Sequence, residues 1–363
     1  MLSKKIIKNI FKVCLCVLLA LLIVVLSYVG YVFFSYSRIE DNQSITPAKT
    51  GSNEAVSIGK NYTAVTQNIG FGAYTPDFTF FMDGGKSSHA ENEDSVKNCV
   101  NTAADTLISY NPDFALIQEV DFDSTRSYHI NQVEMLKDKF NGYSNAFAIN
   151  YHSAFLFWPL TEPHGASNSG ILTLSKYNIE SATRRSLPIS ASFSKFLDLD
   201  RCYSVSRIPT ENGKELVLYN VHLSAYGCSD EIRTAQMTML FNDIKSEYEK
   251  GNYCVCGGDF NHDFTGNSTQ MLNPSVESAE FGWAQPFPAE LLPDCISRCI
   301  DYQDNEIIPT CRNCDVPYSE GNFTVIVDGF LVTENVEAVS VKNIKTEFTY
   351  SDHNPVVLEF KLK

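Results

Sequence analysis

The stretch YCVCGGDFN, residues 253–261, runs from an apolar strand through two glycines into a carboxylate and an amide. Cys254 and Cys256 alternate along the apolar part and are expected to fill the core as small side chains. The glycines allow a tight turn and a close approach of the backbone to a ligand. Asp259 and Asn261 are two positions apart, so on an extended chain they point to the same side. The pair can therefore orient a water and a ligand oxygen, and the structural alternative is an Asx-turn.

Three apolar strands earlier in the chain also end with one polar side chain each. These are Asn68 in YTAVTQNI (62–69), Glu119 in FALIQEV (114–120) and His222 in ELVLYNVHL (215–223). A polar group at the end of a buried strand is unfavourable unless it is paired or binds a metal. A histidine at such a position can donate a hydrogen bond to an anion. The alternatives are a turn asparagine, a surface glutamate and a core histidine with a satisfied hydrogen bond.

The C-terminal part of the chain adds a buried acid and an Asp–His pair. Asp328 lies inside the apolar strand VIVDGFLVT (325–333), where a lone acid needs a partner. His353 of YSDHNP is the natural candidate, because a hydrogen bond to Asp328 would fix its tautomer and raise its basicity. Asp352 beside it is a further candidate metal ligand, and a capped turn is the alternative.

The remaining pattern is one of short β-rich runs separated by a few helical stretches. Helices are predicted at 91–110, 125–140 and 229–248, and further strands at 170–175, 202–208 and 356–360. Many short strands with helices between them suit two packed sheets flanked by helices. Loops at strand ends on such a scaffold are the usual place for chemistry.

Residues 13–34, VCLCVLLALLIVVLSYVGYVFF, carry no charge, and about 20 apolar residues suffice to span a bilayer as a helix. Lysines precede this run and aromatic residues crowd its far end, which predicts a cytoplasmic N-terminus and a body outside the cytoplasm. A cleaved secretory signal is the alternative. The polar segment 37–58 is interpreted as a linker, so the predicted organisation is a basic stub with a transmembrane helix (1–36), the linker, and a body (59–363).

The charge of the body is strongly negative. The formal net charge of the chain is −15, and five basic residues before residue 39 leave the remainder at −20. Non-specific binding of duplex DNA relies on Lys and Arg that neutralise phosphates. The composition therefore disfavours a partner such as genomic DNA.

The chain has eleven cysteines, two of them in the apolar N-terminal run. Four others form a CxxxC…CxxC cluster: Cys295, Cys299, Cys311 and Cys314. In an exported domain they can form two disulfides, they can bind zinc, or they can be free thiols. The sequence leaves these alternatives open.

Seven segments, taken in chain order, resemble motifs of the endonuclease/exonuclease/phosphatase family. They are TQNIG, LIQEVD, SNSGILTLS, YNVHLS, GGDFN, VDGFLV and YSDHNP. The resemblance covers nearly the whole body, from about residue 60 to residue 363. It implies an α+β fold, a four-layer αββα sandwich like that of deoxyribonuclease I, with the site at one rim.

The resemblance also implies roles for the polar residues. It implies Mg²⁺, or Mn²⁺, bound mainly by Glu119 with Asn68 and Asp352 close by. Catalytic roles are implied for His222, Asp259, Asn261, Asp328 and His353. Asp259 would orient or activate the attacking water, Asn261 would hold the phosphate, and the Asp328–His353 pair would contact the scissile phosphate. One departure is Gly329, since the family usually has a tyrosine or β-branched residue there.

The sequence indicates the substrate less specifically than it indicates the fold and the site residues. Three aromatic segments, at 71–85, 151–165 and 281–292, are either ordinary loop packing or a hydrophobic lip for a lipid. Four arginines are candidates for binding a phosphate or head group: Arg184, Arg185, Arg201 and Arg207. Arg201, in LDRCYS, is the first of them to test. The favoured expectation is a membrane-bound phosphoesterase for a lipid or small phosphoester. The alternatives are an extracellular nuclease and an inactive binding module on the same scaffold, and the oligomeric state is not predicted.

Overall fold

The helices and strands are seen in a computed structural model that describes residues 4–196, 198–225, 228–273, 282–301, 307–319 and 321–363. The helices are α1 (Lys4–Ser35), α2 (Glu93–Ser109), α3 (Gln132–Lys139), α4 (Asp230–Glu249) and α5 (Ser268–Leu272). The strands are β1 (Gln43–Ile45), β2 (Asn61–Asn68), β3 (Phe114–Asp121), β4 (Ser144–His152), β5 (Asn168–Ser175), β6 (Ser181–Ser186), β7 (Cys202–Pro209), β8 (Glu215–His222), β9 (Tyr253–Asp259), β10 (Ile296–Cys299), β11 (Cys311–Arg312), β12 (Thr324–Val325), β13 (Asp328–Thr333), β14 (Val336–Asn343) and β15 (Val356–Leu362).

Two large sheets contain most of the strands. One has the order β14-β15-β2-β3-β5-β4 and the other β1-β6-β7-β8-β9-β13-β10. Each sheet has one parallel pair near its centre, β2 with β3 and β8 with β9, and the other pairs are antiparallel. Helix α2 connects the first parallel pair and α4 connects the second, as a parallel connection requires. The C-terminal ends of each pair therefore lie at one rim.

The layers follow from the alternation of apolar side chains along the strands. On β3, Phe114 and Leu116 face the other sheet, whereas Ala115 and Ile117 pack against α2 and α3. On β9, Cys254 and Cys256 pack against α4. The result is helix, sheet, sheet, helix, which confirms the predicted αββα sandwich.

A buried polar contact joins the two sheets just below the rim. Gln118 Nε2 on β3 donates to Asn220 Oδ1 on β8 over 2.7 Å, and Asn220 Nδ2 donates to the Leu172 carbonyl over 3.0 Å. Both amides are fully buried. A satisfied buried network of this kind favours a single register between layers, because a shifted register would leave these groups unpaired.

Most predicted elements are confirmed within a residue or two, but two differ. The strand predicted at 325–333 begins only at Asp328, because Val325 belongs to the separate short strand β12. The helix predicted at 125–140 is shorter. Only Gln132–Lys139 is α-helical, and Thr125–Ser127 forms a separate 3₁₀ turn. The reason is an ion pair: Arg126 of this turn binds Asp121, at the end of β3, over 2.9 Å and 3.1 Å.

The segment 37–58 differs from a free linker, since it packs along the body. Its residues 43–45 form β1 and pair with β6, and Ala48, Ser52 and Val56 each make an isolated bridge further along the body. Polar edge strands of this kind lack the apolar alternation by which strands are predicted. The N-terminal helix α1 is long and apolar enough to cross a membrane.

Candidate active site at the rim of the two sheets

The register of three adjacent strands sets the first part of the site. His222 on β8 pairs with Asp259 on β9, and Asp259 pairs with Asp328 on β13. Hydrogen bonding between the strands thus holds three buried polar side chains at one level. His222 Nε2 lies 3.6 Å from Asp259 Oδ2.

The opposite sheet contributes Asn68 and Glu119 from the ends of its parallel pair. Asn68 pairs with Gln118, and the register between β3 and β5 then shifts between Ile117 and Val120. Glu119 lies in this bulge with a φ of 53°. Bulges commonly re-aim a side chain beside a site, and here the carboxylate of Glu119 reaches to within 3.9 Å of His222 Nε2.

Asn68 joins the acids of the two sheets. Its Nδ2 donates to Glu119 Oε1 over 3.0 Å and to Asp259 Oδ2 over 3.1 Å. Its Oδ1 accepts a hydrogen bond from the Gly70 backbone over 3.0 Å. In this arrangement Asn68 presents its amide nitrogen to the acids, whereas the expected role as a metal ligand uses the amide oxygen.

His353 is paired with Asp328, the partner expected for it. His353 Nδ1 donates to Asp328 Oδ2 over 2.8 Å, and its Nε2 lies 3.9 Å from Asp259 Oδ2. Burial would lower the pKa of His353, but the neighbouring carboxylate of Asp328 outweighs it and the pKa lies well above the ordinary value. The imidazole is therefore cationic at neutral pH, with its second N–H directed toward the site.

Asp352 approaches the site from the same loop as His353. A Cβ on Gly70 would lie 2.8 Å from Asp352 Oδ1 and 2.4 Å from the ring of Tyr74. Gly70 also has a φ of 53°, so both space and backbone conformation favour glycine there. The absence of a side chain at Gly70 lets Asp352 lie against the backbone that follows Asn68.

Asn261 is fixed by the turn after β9. Its backbone N–H donates to Asp259 Oδ1 over 2.9 Å, and its Nδ2 donates to the Leu223 carbonyl over 2.8 Å. A primary amide has two N–H donors, so one remains for a ligand oxygen.

The buried acids repel one another and are poorly solvated. Burial raises the pKa of Asp259 to about 7, an effect that His353 opposes and Asp328 increases. Burial likewise raises the pKa of Asp352 to about 6, with His353 opposing the rise and Glu119 adding to it. Such shifts mark a place where added positive charge is stabilising.

His222 has the opposite character. Burial lowers the pKa of its imidazole well below the ordinary value. The positive charges of Arg201, His353 and Arg126 lower it further. His222 is therefore neutral, beside a cationic His353.

A cavity of about 300 Å³ lies over these residues. Most of the predicted site residues line this cavity: Glu119, Arg201, His222, Asp259, Asn261, Asp352 and His353. The other two, Asn68 and Asp328, do not line it. Its apolar wall comes from the three aromatic segments and includes Phe71, Tyr74, Phe80, Tyr151 and Trp283. Phe281, the first residue of the third segment, lies outside the described residues.

Sequence reasoning missed several polar residues of the cavity, chiefly Arg126, Asn150, Ser169 and Arg312. Arg126 is almost fully buried, and its guanidinium stacks 3.8 Å from the centre of the Phe71 ring. The signal for it is the acid in LIQEVD, Asp121, which binds it. Five side chains of the cavity have a buried polar atom with no partner among the described residues: Asn150 Nδ2, Ser169 Oγ, Arg201 Nε, His222 Nδ1 and Arg312 Nε.

Arg201 enters the cavity as expected, but other arginines considered for the same role do not. Arg201 Nη1 donates to the Leu223 carbonyl over 3.0 Å, next to Asn261. Arg184 is buried between the sheets and binds the Ile149 carbonyl. Arg185 and Arg207 pair with acids of α4 instead.

The residues fit a hard divalent cation. Mg²⁺ and Mn²⁺ prefer oxygen ligands, and Glu119, Asp259 and Asp352 present carboxylates to the same cavity. A second group, Asp259, Asp328 and His353, brings its ligand atoms within 4.8 Å of one another. The carboxylates fit better, because the Nδ1 atom of His353 is already bonded to Asp328.

The four cysteines of the CxxxC…CxxC cluster are not joined by disulfides and lie in different apolar clusters. Each of the eleven cysteines is a free thiol. Cys295 directly precedes β10 and Cys299 is its last residue, whereas Cys311 and Cys314 pack near the cavity in other apolar clusters. Burial raises the pKa of Cys311 to about 12, so this thiol stays protonated.

The departure at Gly329 has a packing explanation. A Cβ at this position would lie 2.5 Å from the ring of Phe264. Phe264 is fully buried and occupies the space that a larger side chain would need.

A sequence model of the endonuclease/exonuclease/phosphatase family matches residues 65–353. No curated protein matches the sequence. The fold is similar to an endonuclease/exonuclease/phosphatase from Beutenbergia cavernae, with 17% identity over 84% of this chain and 72% of that one and a TM-score of 0.57. ANGEL2, a 2',3'-cyclic phosphatase in complex with adenosine-2',3'-vanadate, has 13% identity over 90% and 99% of the two chains and a TM-score of 0.55. A Bacteroides vulgatus structure has 15% identity over 84% and 100%, with a TM-score of 0.52. At these identities the likeness concerns the fold.

Proposed function

Because the chain belongs to the endonuclease/exonuclease/phosphatase family, a family of phosphoester hydrolases, we propose that it is a membrane-anchored, divalent-metal-dependent phosphoesterase. Its proposed substrate is a lipid or another small phosphoester. The supporting observation is that His222 and Asp259 of one sheet meet Glu119, Asp352 and His353 of the other half around one cavity. The proposed organisation is a membrane helix (1–36), a connecting segment (37–58) and a catalytic domain (59–363).

The proposed metal site is formed by Glu119, with Asp352 and Asn68 nearby. When bound there, Mg²⁺ or Mn²⁺ supplies positive charge to the phosphoryl oxygens. Asn68 contributes by bridging Glu119 and Asp259, which keeps the two carboxylates at a fixed separation.

The remaining residues bind and orient the reactants. Asp259 holds the attacking water and accepts its proton. Asn261 and the cationic His353 donate hydrogen bonds to phosphoryl oxygens, and Asp328 keeps His353 in the required tautomer. Neutral His222 donates to another oxygen of the phosphoryl group.

A lipid substrate is supported by the composition of the cavity and by the N-terminal helix. The apolar wall of Phe71, Tyr74, Phe80 and Trp283 suits a hydrophobic portion, and Arg201 suits a head-group phosphate. We propose that α1 spans the membrane with the catalytic domain on its extracytoplasmic side, because lysines precede the apolar run.

A nucleotide or nucleic acid is the second candidate substrate. One solved structure of similar fold holds adenosine-2',3'-vanadate. The charge of −20 after residue 38 opposes binding of long duplex DNA, so within this alternative short nucleotides fit better. An inactive binding module is the third candidate.

The test is a substrate panel with the full chain in detergent. Bis(p-nitrophenyl) phosphate, sphingomyelin and plasmid DNA are each incubated with Mg²⁺, beside Asp259→Asn and His353→Ala. We expect both variants to lose about 10²–10⁴-fold in turnover, since each removes a proton-transfer or charge-stabilising group. The matched control is Asp105→Asn, an exposed acid paired with Lys139, which should retain activity.

The preferred substrate selects between the first two candidates. Faster cleavage of sphingomyelin supports the lipid enzyme, and faster, salt-sensitive cleavage of DNA supports the nuclease. No turnover of any substrate, with no binding of divalent metal, would contradict both and leave the binding module.

A further inference from the structure

An aromatic loop of the catalytic domain, residues 155–160 (FLFWPL), packs against the membrane helix. Tyr28 Oη of α1 donates to the Phe155 carbonyl over 3.2 Å and accepts from the Phe157 N–H over 3.3 Å. Tyr31 Oη accepts from the Phe155 N–H over 3.1 Å. The rings of Tyr28 and Phe157 meet edge to face with centres 5.2 Å apart.

These contacts lie within the apolar part of the helix. Tyr28 precedes the end of α1 at Ser35 by seven residues. At 1.5 Å per residue this is roughly 10 Å along the helix axis. The loop therefore runs beside the last turns of the apolar segment, so any bilayer that covers Tyr28 also reaches the loop.

The side chains of the loop suit that position. Phe157 is 51% exposed, Trp158 66% and Leu160 76%. The nine residues 153–161 carry no charge. Large apolar side chains clustered in this way are unfavourable in water, and Trp is enriched at membrane interfaces.

Basic and aromatic residues follow at the expected level of the lipid head groups. Phe196 packs against Phe33 and Tyr36 of the helix end, with ring centres 5.7 Å and 5.0 Å away. Lys195 Nζ lies 5.3 Å from the centre of the Tyr36 ring. An aromatic belt is the usual pattern where a helix leaves the bilayer.

The loop is also continuous with the wall of the catalytic cavity. His164, which lines the cavity, donates its backbone N–H to the Trp158 carbonyl over 3.2 Å. Asp198 and Leu199 line both the cavity and the groove between the domain and the end of α1. Membrane contact at the loop thus fixes the position of the cavity relative to the lipid.

We infer that the aromatic loop inserts into the leaflet next to the catalytic domain and holds the cavity at the bilayer surface. This inference rests on the proposed membrane span of α1. Its partner is the lipid bilayer itself, because the loop is hydrogen-bonded to a helix that is long and apolar enough to cross a membrane. Lipids could then enter the cavity from the membrane plane.

Tryptophan fluorescence tests this directly, because the chain has two tryptophans, Trp158 and Trp283. The full chain carrying Trp283→Phe is placed in nanodiscs of phosphatidylcholine brominated at upper or lower acyl positions. We expect upper-chain bromines to remove most of the Trp158 emission and acrylamide to quench it poorly. Strong acrylamide quenching with no effect of bromine would overturn the inference. The matched control is Trp158→Phe, in which the cavity residue Trp283 should be less sensitive to bromine.

Alkaline carbonate extraction of liposomes that contain the same protein separates this inference from the proposed anchor. Protein that stays in the membrane pellet without bromine quenching refutes insertion of the loop alone, whereas protein that is released refutes the membrane anchor as well.

The double variant Trp158→Ser, Leu160→Ser provides a readout of function. It should hydrolyse a soluble phosphodiester at the normal rate and bilayer lipid more slowly, and equal rates on bilayer lipid would contradict the inference.

Discussion

The backbone of Glu119 adopts a φ of 53°, which is uncommon for a residue with a side chain. Strained conformations of this kind persist where the surrounding structure enforces them and are frequent at functional sites. Here the bulge in β3 enforces it, and the outcome is a carboxylate directed at His222 and Asn68.

Replacing Glu119 by Gln should separate function from stability. The amide keeps the shape and an acceptor for Asn68 but removes one charge from the acidic site. We expect divalent-cation affinity to fall at least about tenfold while the melting temperature stays equal or rises. Calorimetric titration with Mn²⁺ and thermal unfolding measure the two effects. Unchanged Mn²⁺ affinity would show that Glu119 is no ligand, and Glu134→Gln, an exposed glutamate of α3, is the control.

The sequence predicts which polar residues lie at the strand ends. It does not predict the backbone conformations that direct their side chains into the site. Asp259 and Asn261 could be placed together because an alternating strand leads into them. Arg126 could not, because its position depends on a turn that Asp121 fixes after a bulge. Asn68 could be placed near Glu119, but its hydrogen bonds to both acids depend on how the two sheets meet.

At the scale of elements, α4 is joined to its sheet by one buried glutamate. Glu247 accepts hydrogen bonds from Arg207 of β7 over 2.7 Å and 3.0 Å, and others from Lys250 and Asn252. Burial alone would raise the pKa of Glu247, but these hydrogen bonds outweigh it and hold the pKa at about 2. The ion pair thus helps to keep α4 on β7 and β8, below His222.

Glu247→Gln should therefore destabilise the fold in a pH-dependent way. A carboxylate with a depressed folded-state pKa stabilises fully above its unfolded value and loses that contribution as the pH falls toward about 2. We expect a loss of about 2 kcal/mol in the free energy of unfolding at pH 7 and a smaller loss at pH 3. Urea unfolding at both pH values measures it. An equal loss at both would contradict the ionic origin, and exposed Glu249→Gln is the control.

The strands that the sequence predicts are more deeply buried than the strands that it does not predict. Central strands such as 114–121 and 253–259 are apolar until the polar residues at their C-terminal ends and were predicted to within a residue. The edge strand 43–45 and its neighbour 181–186, SATRRS, are polar, so no pattern marks them. Their pairing depends on the sheet that is already formed, which explains why 37–58 looked like a linker.

At the scale of the molecule, the site exists only where the two halves meet. Each half supplies a parallel pair whose ends carry one pair of polar residues, Asn68 with Glu119 and His222 with Asp259. The family and the sandwich could be predicted, because seven motifs in order are specific, and both are confirmed. The position of the aromatic loop beside α1 could not, since it depends on contacts between segments far apart in sequence.

The central claim is that this rim hydrolyses phosphoesters with a divalent metal. The most direct measurement is turnover of bis(p-nitrophenyl) phosphate by the purified full chain, first with Mg²⁺ or Mn²⁺, then after EDTA, and again after the metal is restored. The account predicts activity that EDTA abolishes and added metal recovers. Turnover that is unchanged in EDTA would contradict it.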